Sequence, residues 1–203
     1  MLSIDPNSLS EREKYKFLIG SIIPRPIAFV TTEAVDGTLN AAPFSYFNVV
    51  SSDPPRISIS VGRKGGERKD TAEHILMRKQ FVVHIVDSDN VEKVNLTAEG
   101  LPRNQSEVKK FGLTPIKSDK INVPGIAEAK VRFECELETY LPLNKSNGEP
   151  GVDFFIGKIV QFHIDENIYK KGRVSQELLK AVGRLAGNDY MEVDHSFTLK
   201  RPN

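Results

Sequence analysis

Residues Val131 to Glu138 alternate apolar and charged side chains without a break: Val131, Phe133, Cys135 and Leu137 against Arg132, Glu134, Glu136 and Glu138. A helix would scatter that pattern around its circumference. A β-strand sorts it into two faces, because successive side chains point to opposite sides. The spacing therefore predicts a strand with one face on a core and the other toward water or a partner. The same period recurs over Arg56 to Val61, where Ile57, Ile59 and Val61 alternate with Ser58 and Ser60. Twelve prolines and fourteen glycines punctuate the chain at short intervals, which favours strands and turns over long helices.

Pro24-Arg25-Pro26 imposes an extended entry into a strand over Ile27 to Thr32. Asp36-Gly37 is a tight-turn signal, and Leu39 to Phe44 reads as the returning strand of a hairpin. Asp53-Pro54-Pro55 breaks the chain before Arg56. Phe81 to Val86 reads as a buried strand, and Val152 to Ile164 as the last long strand, bent at Gly157. Helices are expected over Thr71 to Arg78, Ser88 to Glu99, Ser106 to Phe111 and Ser175 to Ala181. Asp70 is expected to cap the first of these, with Glu73 in capping-box position. The segment after Val182 is Gly-rich, then polar, and no fixed-period repeat is present. Adjacent strands joined by tight turns, without a regular β-α alternation, predict a mainly β fold. The expected architecture is an antiparallel sheet closed or partly closed into a β-barrel, with peripheral helices.

With 203 residues, a single domain over 1–203 is expected. Lys and Arg number 28 against 27 Asp and Glu, which argues against a generally basic nucleic-acid binder. The lone Cys135 can form no internal disulfide, and the residues offer no metal quartet. No apolar run approaches the roughly 20 residues of a membrane span. Met1 to Lys16 is polar and mixed in charge, unlike a secretory leader, so a cytoplasmic protein is expected.

Few residues form a recognisable catalytic set. His74, His84, His163 and His195 do not stand together at ligand spacing on one element, so no metal site is expected. His84 lies in an apolar strand and reads as a satisfied core or edge residue. His163, near a strand end, faces either ordinary surroundings or a ligand. Cys135 on an apolar face reads as a small buried hydrophobe, not a nucleophile. Ser45 and Ser51 lack the Gly-x-Ser-x-Gly elbow of a serine hydrolase.

Two segments carry more information. Gly62-Arg63-Lys64-Gly65-Gly66-Glu67-Arg68-Lys69-Asp70-Thr71 runs from a strand end through a basic loop to a helix start. Backbone N–H groups, the helix dipole and cationic side chains there suit a phosphate, although the loop does not match the Walker spacing. A merely solvated loop is the alternative. Asn40-Ala41-Ala42-Pro43-Phe44-Ser45-Tyr46-Phe47-Asn48 places small residues before Pro43, which cannot donate to a ladder. Amides freed there could meet a planar polar ligand, with Phe44, Tyr46 and Phe47 as apolar walls. An irregular strand with core aromatics is the alternative.

Taken together, these residues resemble the flavin reductase-like family of FMN-binding split-barrel proteins, its flavoredoxin-type branch most of all. The resemblance rests on Gly20 to Val30, Asn40 to Asn48, Val50 to Pro55, Ile57 to Ser60, Lys69-Asp70-Thr71, Phe155 to Val160 and Val182 to Tyr190. It implies a split barrel, a homodimer and FMN near the subunit interface. It also implies that the Ala42, Pro43, Phe44, Ser45 and Tyr46 backbone runs beside the flavin ring. Phosphate contacts are implied from the segment holding Arg63, Lys69, Asp70 and Thr71. Asn40 and Ser51 are implied beside the cofactor, and Arg25 and Arg184 match recurrent positions. No catalytic side chain is implied, because the chemistry is the flavin's. The implied activity is NAD(P)H-dependent flavin reduction. The alternative is a non-enzymatic FMN electron carrier reduced by a partner protein. A flavin-free assembly module using the Glu-rich strand face stands further off, as does nucleic-acid binding through Arg63 to Lys69.

Overall fold

The computed structural model describes residues 1–202. Its helices are α1 (Glu11–Ser21), α2 (Asp70–Arg78), α3 (Val91–Leu96), α4 (Glu107–Lys110) and α5 (Gln176–Leu179). Its first seven strands are β1 (Arg25–Pro26), β2 (Ala28–Glu33), β3 (Leu39–Phe44), β4 (Phe47–Ser52), β5 (Pro55–Gly62), β6 (Gln80–Ile85) and β7 (Pro115–Ile116). They are followed by β8 (Gly125–Ile126), β9 (Val131–Asn144), β10 (Pro150–Ile164), β11 (Tyr169–Lys170), β12 (Arg173–Val174), β13 (Val182–Arg184) and β14 (Tyr190–Glu192).

Seven strands form one antiparallel sheet in the order β3-β2-β6-β9-β10-β5-β4. β3 and β4 are its opposite edges, yet only Ser45 and Tyr46 separate them in the chain. A link that short spans at most about 11 Å. The sheet must therefore curl until its edges meet, and the result is a barrel with an open seam at Ser45 and Tyr46. A second sheet, β1-β13-β14, lies beside that seam and pairs Arg25 with Arg184.

The barrel interior holds Ala28, Val30, Phe44, Phe47, Ile57, Ile59, Val61, Phe81, Val83, Cys135, Phe155 and Ile159, and Ala72 and Ile75 of α2 pack against the same cluster. The period-two residues Ile57, Ile59 and Val61 point inward as expected. A second cluster on the outer side of β2 joins Ile27 and Phe29 to Val94 of α3 and Val108 of α4. Gly157 adjoins a register shift between β9 and β10. A Cβ there would lie 2.4 Å from Phe81 Cζ, so the ring of Phe81 occupies the space a side chain would need.

The hairpin strand Leu39–Phe44 has the expected bounds, whereas β9 runs on to Asn144 and the helix expected over Ser88 to Glu99 is confined to Val91–Leu96. The charged face of β9 is not uniformly wet. Glu134 is fully buried, accepts the backbone N–H groups of Asp119 and Lys120 at 2.7 Å each, and faces His163 Nε2 at 2.6 Å. Asp70 does not cap α2; Lys69 is the N-cap, without a side-chain cap bond, and Asp70 is the first helical residue. α1, β4 and the β13–β14 pair were not anticipated. α1 carries a capping box, Ser10 with Glu13, that is visible in the sequence.

Candidate functional site

The seam is lined by two adjoining hollows that share Pro43, Phe44 and Ala98. The first, about 240 Å³, is bordered by Tyr15, Arg25, Pro43, Phe44, Ser45, Tyr46, Asn95, Arg184 and Tyr190, among others. No carboxylate among the described residues lines it. Among the described residues, the Ser45 and Tyr46 amides have no acceptor within the chain. The seam causes this: strand pairing stops at Phe44 and resumes at Phe47, and Pro43 has no N–H to give.

Arg25 is 6 % exposed and its guanidinium is spent on the backbone. It donates to the Ile19 and Ile22 carbonyls at the end of α1 and to the Leu185 carbonyl, each at 2.8 Å, and to Ser45 Oγ at 3.5 Å. All these partners are neutral, so its charge is not cancelled, and the C-terminal end of α1 favours a cation there. Arg184 stacks over the Tyr190 ring, 4.3 Å from its centroid, and donates to the Gly187 carbonyl. Tyr190 is fixed in turn by its hydroxyl, which donates to Asn95 Oδ1 at 2.7 Å.

The second hollow, about 380 Å³, is bordered by Asn40, Ala42, Lys64, Arg68, Lys69, Asp70, Thr71, Arg103 and Glu107, with others. α2 points its first turn at this groove, and no side chain caps it. The Lys69 ammonium makes no ion pair or hydrogen bond among the described residues; it lies 5.7 Å from the Phe44 ring centroid. Arg103 ties the far wall to α2 through Asp70 and Glu73. Glu107 is buried, accepts the Ala41 N–H at 3.2 Å, and has its carboxyl pushed up by that burial.

Arg25, Asn40, Ala42, Pro43, Phe44, Ser45, Tyr46, Lys69, Asp70, Thr71 and Arg184 thus border the paired hollows. Arg63 and Ser51 do not. Arg63 grips buried Asp153 through Nε at 2.9 Å and Nη2 at 2.6 Å. Tyr140 donates to Asp153 at 2.8 Å, and Arg68 donates to Tyr140 at 2.9 Å. Burial pushes the Asp153 carboxyl up, but Arg63, Tyr140 and Arg68 outweigh it and hold it below its usual value. Two of the four cations in the basic loop therefore serve structure. Ser51 Oγ donates to the Pro54 carbonyl at 2.7 Å and receives Arg56 at 3.3 Å, within the β4–β5 hairpin. Tyr15, Asn95, Arg103 and Glu107 were missed; each reaches the site from an element whose docking the sequence does not show.

Other reactive groups lie elsewhere. Cys135 is fully buried, and burial pushes its thiol well up, which makes it inert. His163 faces Glu134, not either hollow. Together with Asp119 these two form an acid–imidazole group of ligand spacing. Both Glu134 oxygens are already engaged there, by the Asp119 and Lys120 amides and by His163.

A partly open antiparallel barrel with a basic groove leading to an amide-lined hollow is the architecture of a flavin reductase-like protein. The chain belongs to that family: its flavin reductase like domain matches residues 19–179. YwrF of Bacillus subtilis (strain 168) is 46% identical over 205 residues, covering 100% of each chain. The structure of nitrilotriacetate monooxygenase component B from Bacillus cereus is similar at TM-score 0.96 and 50% identity, covering 98% of each chain. That of Pseudomonas fluorescens 2-nitrobenzoate 2-nitroreductase NbaA is similar at TM-score 0.89 and 33% identity, covering 99% of this chain and 96% of the other. Flavoredoxin of Desulfovibrio vulgaris (Miyazaki F) shares the fold at TM-score 0.75 and 22% identity, over 88% of this chain and 91% of the other. No helix among the described residues is long and apolar enough to cross a membrane.

Proposed function

We propose that this chain is an FMN-binding oxidoreductase of the cytoplasm, reduced by NAD(P)H and passing electrons or hydride on through the flavin. The observation that carries this reading is the pairing of the hollows: an uncapped helix start with an unpaired lysine at one end, unpaired amides between apolar walls at the other, joined at Pro43 and Phe44. The relatives of 50% and 33% identity are named as a monooxygenase component and a nitroreductase, which supports a redox role.

The residues suit FMN end to end. Lys69, the Thr71 hydroxyl and the first amides of α2 would hold its phosphate. The Ser45 and Tyr46 amides would meet the polar edge of its ring, with Phe44 and Tyr190 as walls. Bound FMN would supply the hydride or electron transfer. Arg25 holds the Ser45 loop against the end of α1. Arg25 and Arg184 together keep the ring hollow electropositive, which favours negative charge on a ligand there.

The working unit of this reading is a homodimer. Support comes from an exposed apolar surface beside the seam, where Leu18, Ile22 and Pro24 border a hollow with Tyr46 and Phe47, and Val49 and Val50 stand exposed close by in the chain.

The test is a titration with FMN followed by anaerobic stopped-flow mixing with NADH and NADPH. Uptake of FMN at micromolar concentration and rapid bleaching by one nicotinamide are expected. No uptake would remove the flavin reading. Uptake without bleaching by either nicotinamide would remove the reductase and leave a carrier reduced by another protein.

A further inference from the structure

A buried polar chain lies behind the basic groove. Asn40 is 7 % exposed on β3. Its Nδ2 donates to Thr32 Oγ1 at 3.1 Å and to Thr71 Oγ1 at 3.0 Å, which uses both amide hydrogens. Thr32 and Thr71 are themselves buried. Thr32 Oγ1 also lies 3.2 Å from His74 Nδ1 on α2.

A hydroxyl that accepts an amide hydrogen keeps its own hydrogen for another acceptor. Thr32 Oγ1 and His74 Nδ1 share one hydrogen bond, donated by the hydroxyl or by the ring according to the imidazole tautomer, and either way it fixes the Thr32 oxygen. Thr71 has no further acceptor within the chain, among the described residues, and it borders the groove. Its hydrogen is left for an anion in that groove.

We infer that Asn40 is a positioning residue that fixes Thr71 as a hydrogen-bond donor, with Thr32 and His74 locking the Asn40 amide, so that this chain sets the preference for a phosphorylated over an unphosphorylated flavin. The inference rests on the groove being the flavin phosphate site. Asn40 itself then acts one step behind the ligand.

The test compares dissociation constants for FMN and riboflavin in the wild type, Thr71→Val, Thr71→Ser, Asn40→Ala and the Asn40→Ala/Thr71→Val double variant. Thr71→Val is expected to weaken FMN on the order of 10- to 100-fold, as for a lost bond to a charged group, and to leave riboflavin unchanged. Thr71→Ser keeps the hydroxyl and the preference. Asn40→Ala weakens FMN roughly tenfold, spares riboflavin, and adds nothing in the Thr71→Val background. A positional role predicts that non-additivity; general loosening of the fold would weaken both flavins. Equal weakening of FMN and riboflavin by Asn40→Ala, or full additivity with Thr71→Val, would overturn the inference. If Asn40→Ala does not fold, Thr32→Val is read the same way: about a twofold to threefold loss for FMN alone supports the chain, and equal shifts overturn it. A wild type that does not prefer FMN over riboflavin overturns the phosphate site and the inference with it. A wild-type preference that survives Asn40→Ala unchanged overturns the inference alone.

Discussion

Arg63 and Lys69 are close in sequence and alike in charge, yet the structure gives them opposite duties. Arg63 is clamped in two-pronged fashion on Asp153, whose side chain is fully buried. Removing one partner of such a pair leaves an uncompensated buried charge, at a cost of 3–5 kcal/mol. Arg68 Nε, 3.4 Å from Asp153, and the Tyr140 hydroxyl remain to soften the loss, so Arg63→Ala should destabilise the fold by about 3 kcal/mol. The Lys69 ammonium makes no ion pair or hydrogen bond among the described residues and only faces the Phe44 ring at 5.7 Å, so Lys69→Ala should change unfolding by less than about 1 kcal/mol. It should weaken FMN by about 1.5–3 kcal/mol, or roughly 10- to 150-fold. Urea denaturation and FMN titration of the two variants provide the assay. The native Asp153 carboxyl is held down, so its contribution is present above its unfolded value and is lost as pH falls through the native one. In Arg63→Ala burial acts with less opposition, and the loss should begin at higher pH. The reasoning fails if Lys69→Ala unfolds as Arg63→Ala does, or if Arg63→Ala weakens FMN while leaving stability intact.

Two further predictions concern the barrel wall. His84 is fully buried; its Nε2 accepts the Ile126 N–H at 2.8 Å, which obliges Nδ1–H to donate to the Phe29 carbonyl, also at 2.8 Å. Burial pushes its pKa down to about 4, so the unfolded chain binds the extra proton between about pH 6.5 and pH 4, and stability falls across that window on acidification. The loss between pH 7 and pH 5 should be about 2 kcal/mol by chemical denaturation, and equal stability at the two pH values would contradict it. Gly157→Ala sets a methyl against the Phe81 ring and should cost about 1–3 kcal/mol, relieved in part by Phe81→Leu; an unchanged melting temperature would show that the ring can move aside.

What the sequence disclosed depended on how local the determinant was. The hairpin at Leu39–Phe44 was legible because its turn, Asp36-Gly37, and its terminator, Pro43, lie in the segment itself. The inward face of β5 was legible because one period decides it. α1 was not, despite its capping box: Phe17, Leu18, Ile22 and Ile23 are exposed and only Ile19 is buried, so no apolar stripe marks the helix. Glu134 reads from the sequence as lying on a face turned to water or a partner, because the segment that covers it, around Asp119 and Lys120, is not its neighbour on the strand. The basic loop could be found as a cluster of cations, but its division of labour could not. Asp153 lies 90 residues beyond Arg63, and although it is the only carboxylate of β10, nothing in that strand's own pattern names Arg63 as its partner.

The seam explains why site and fold coincide. A fully closed barrel would pair the backbone at every strand, leaving no amide for a ligand. Here the two edges are joined by Ser45 and Tyr46 and do not pair with each other, so closure fails at one place. Pro43 reinforces the failure from one side, since it has no hydrogen to offer a neighbouring strand. An open edge invites a foreign strand, and it must be covered. Ser106 Oγ and Glu107 of α4 cover part of β3 by bonding the Leu39 carbonyl and the Ala41 N–H. Arg25 fastens the Ser45 side chain to α1 but leaves the Ser45 and Tyr46 amides without an acceptor among the described residues. Every residue from Ala42 to Tyr46 borders one hollow or the other, and Pro43 and Phe44 border both. The β3 edge is thus covered at Leu39 and Ala41 and left open where the proposed flavin would complete its hydrogen bonds. A barrel variant that paired this stretch would be expected to gain stability and lose the site.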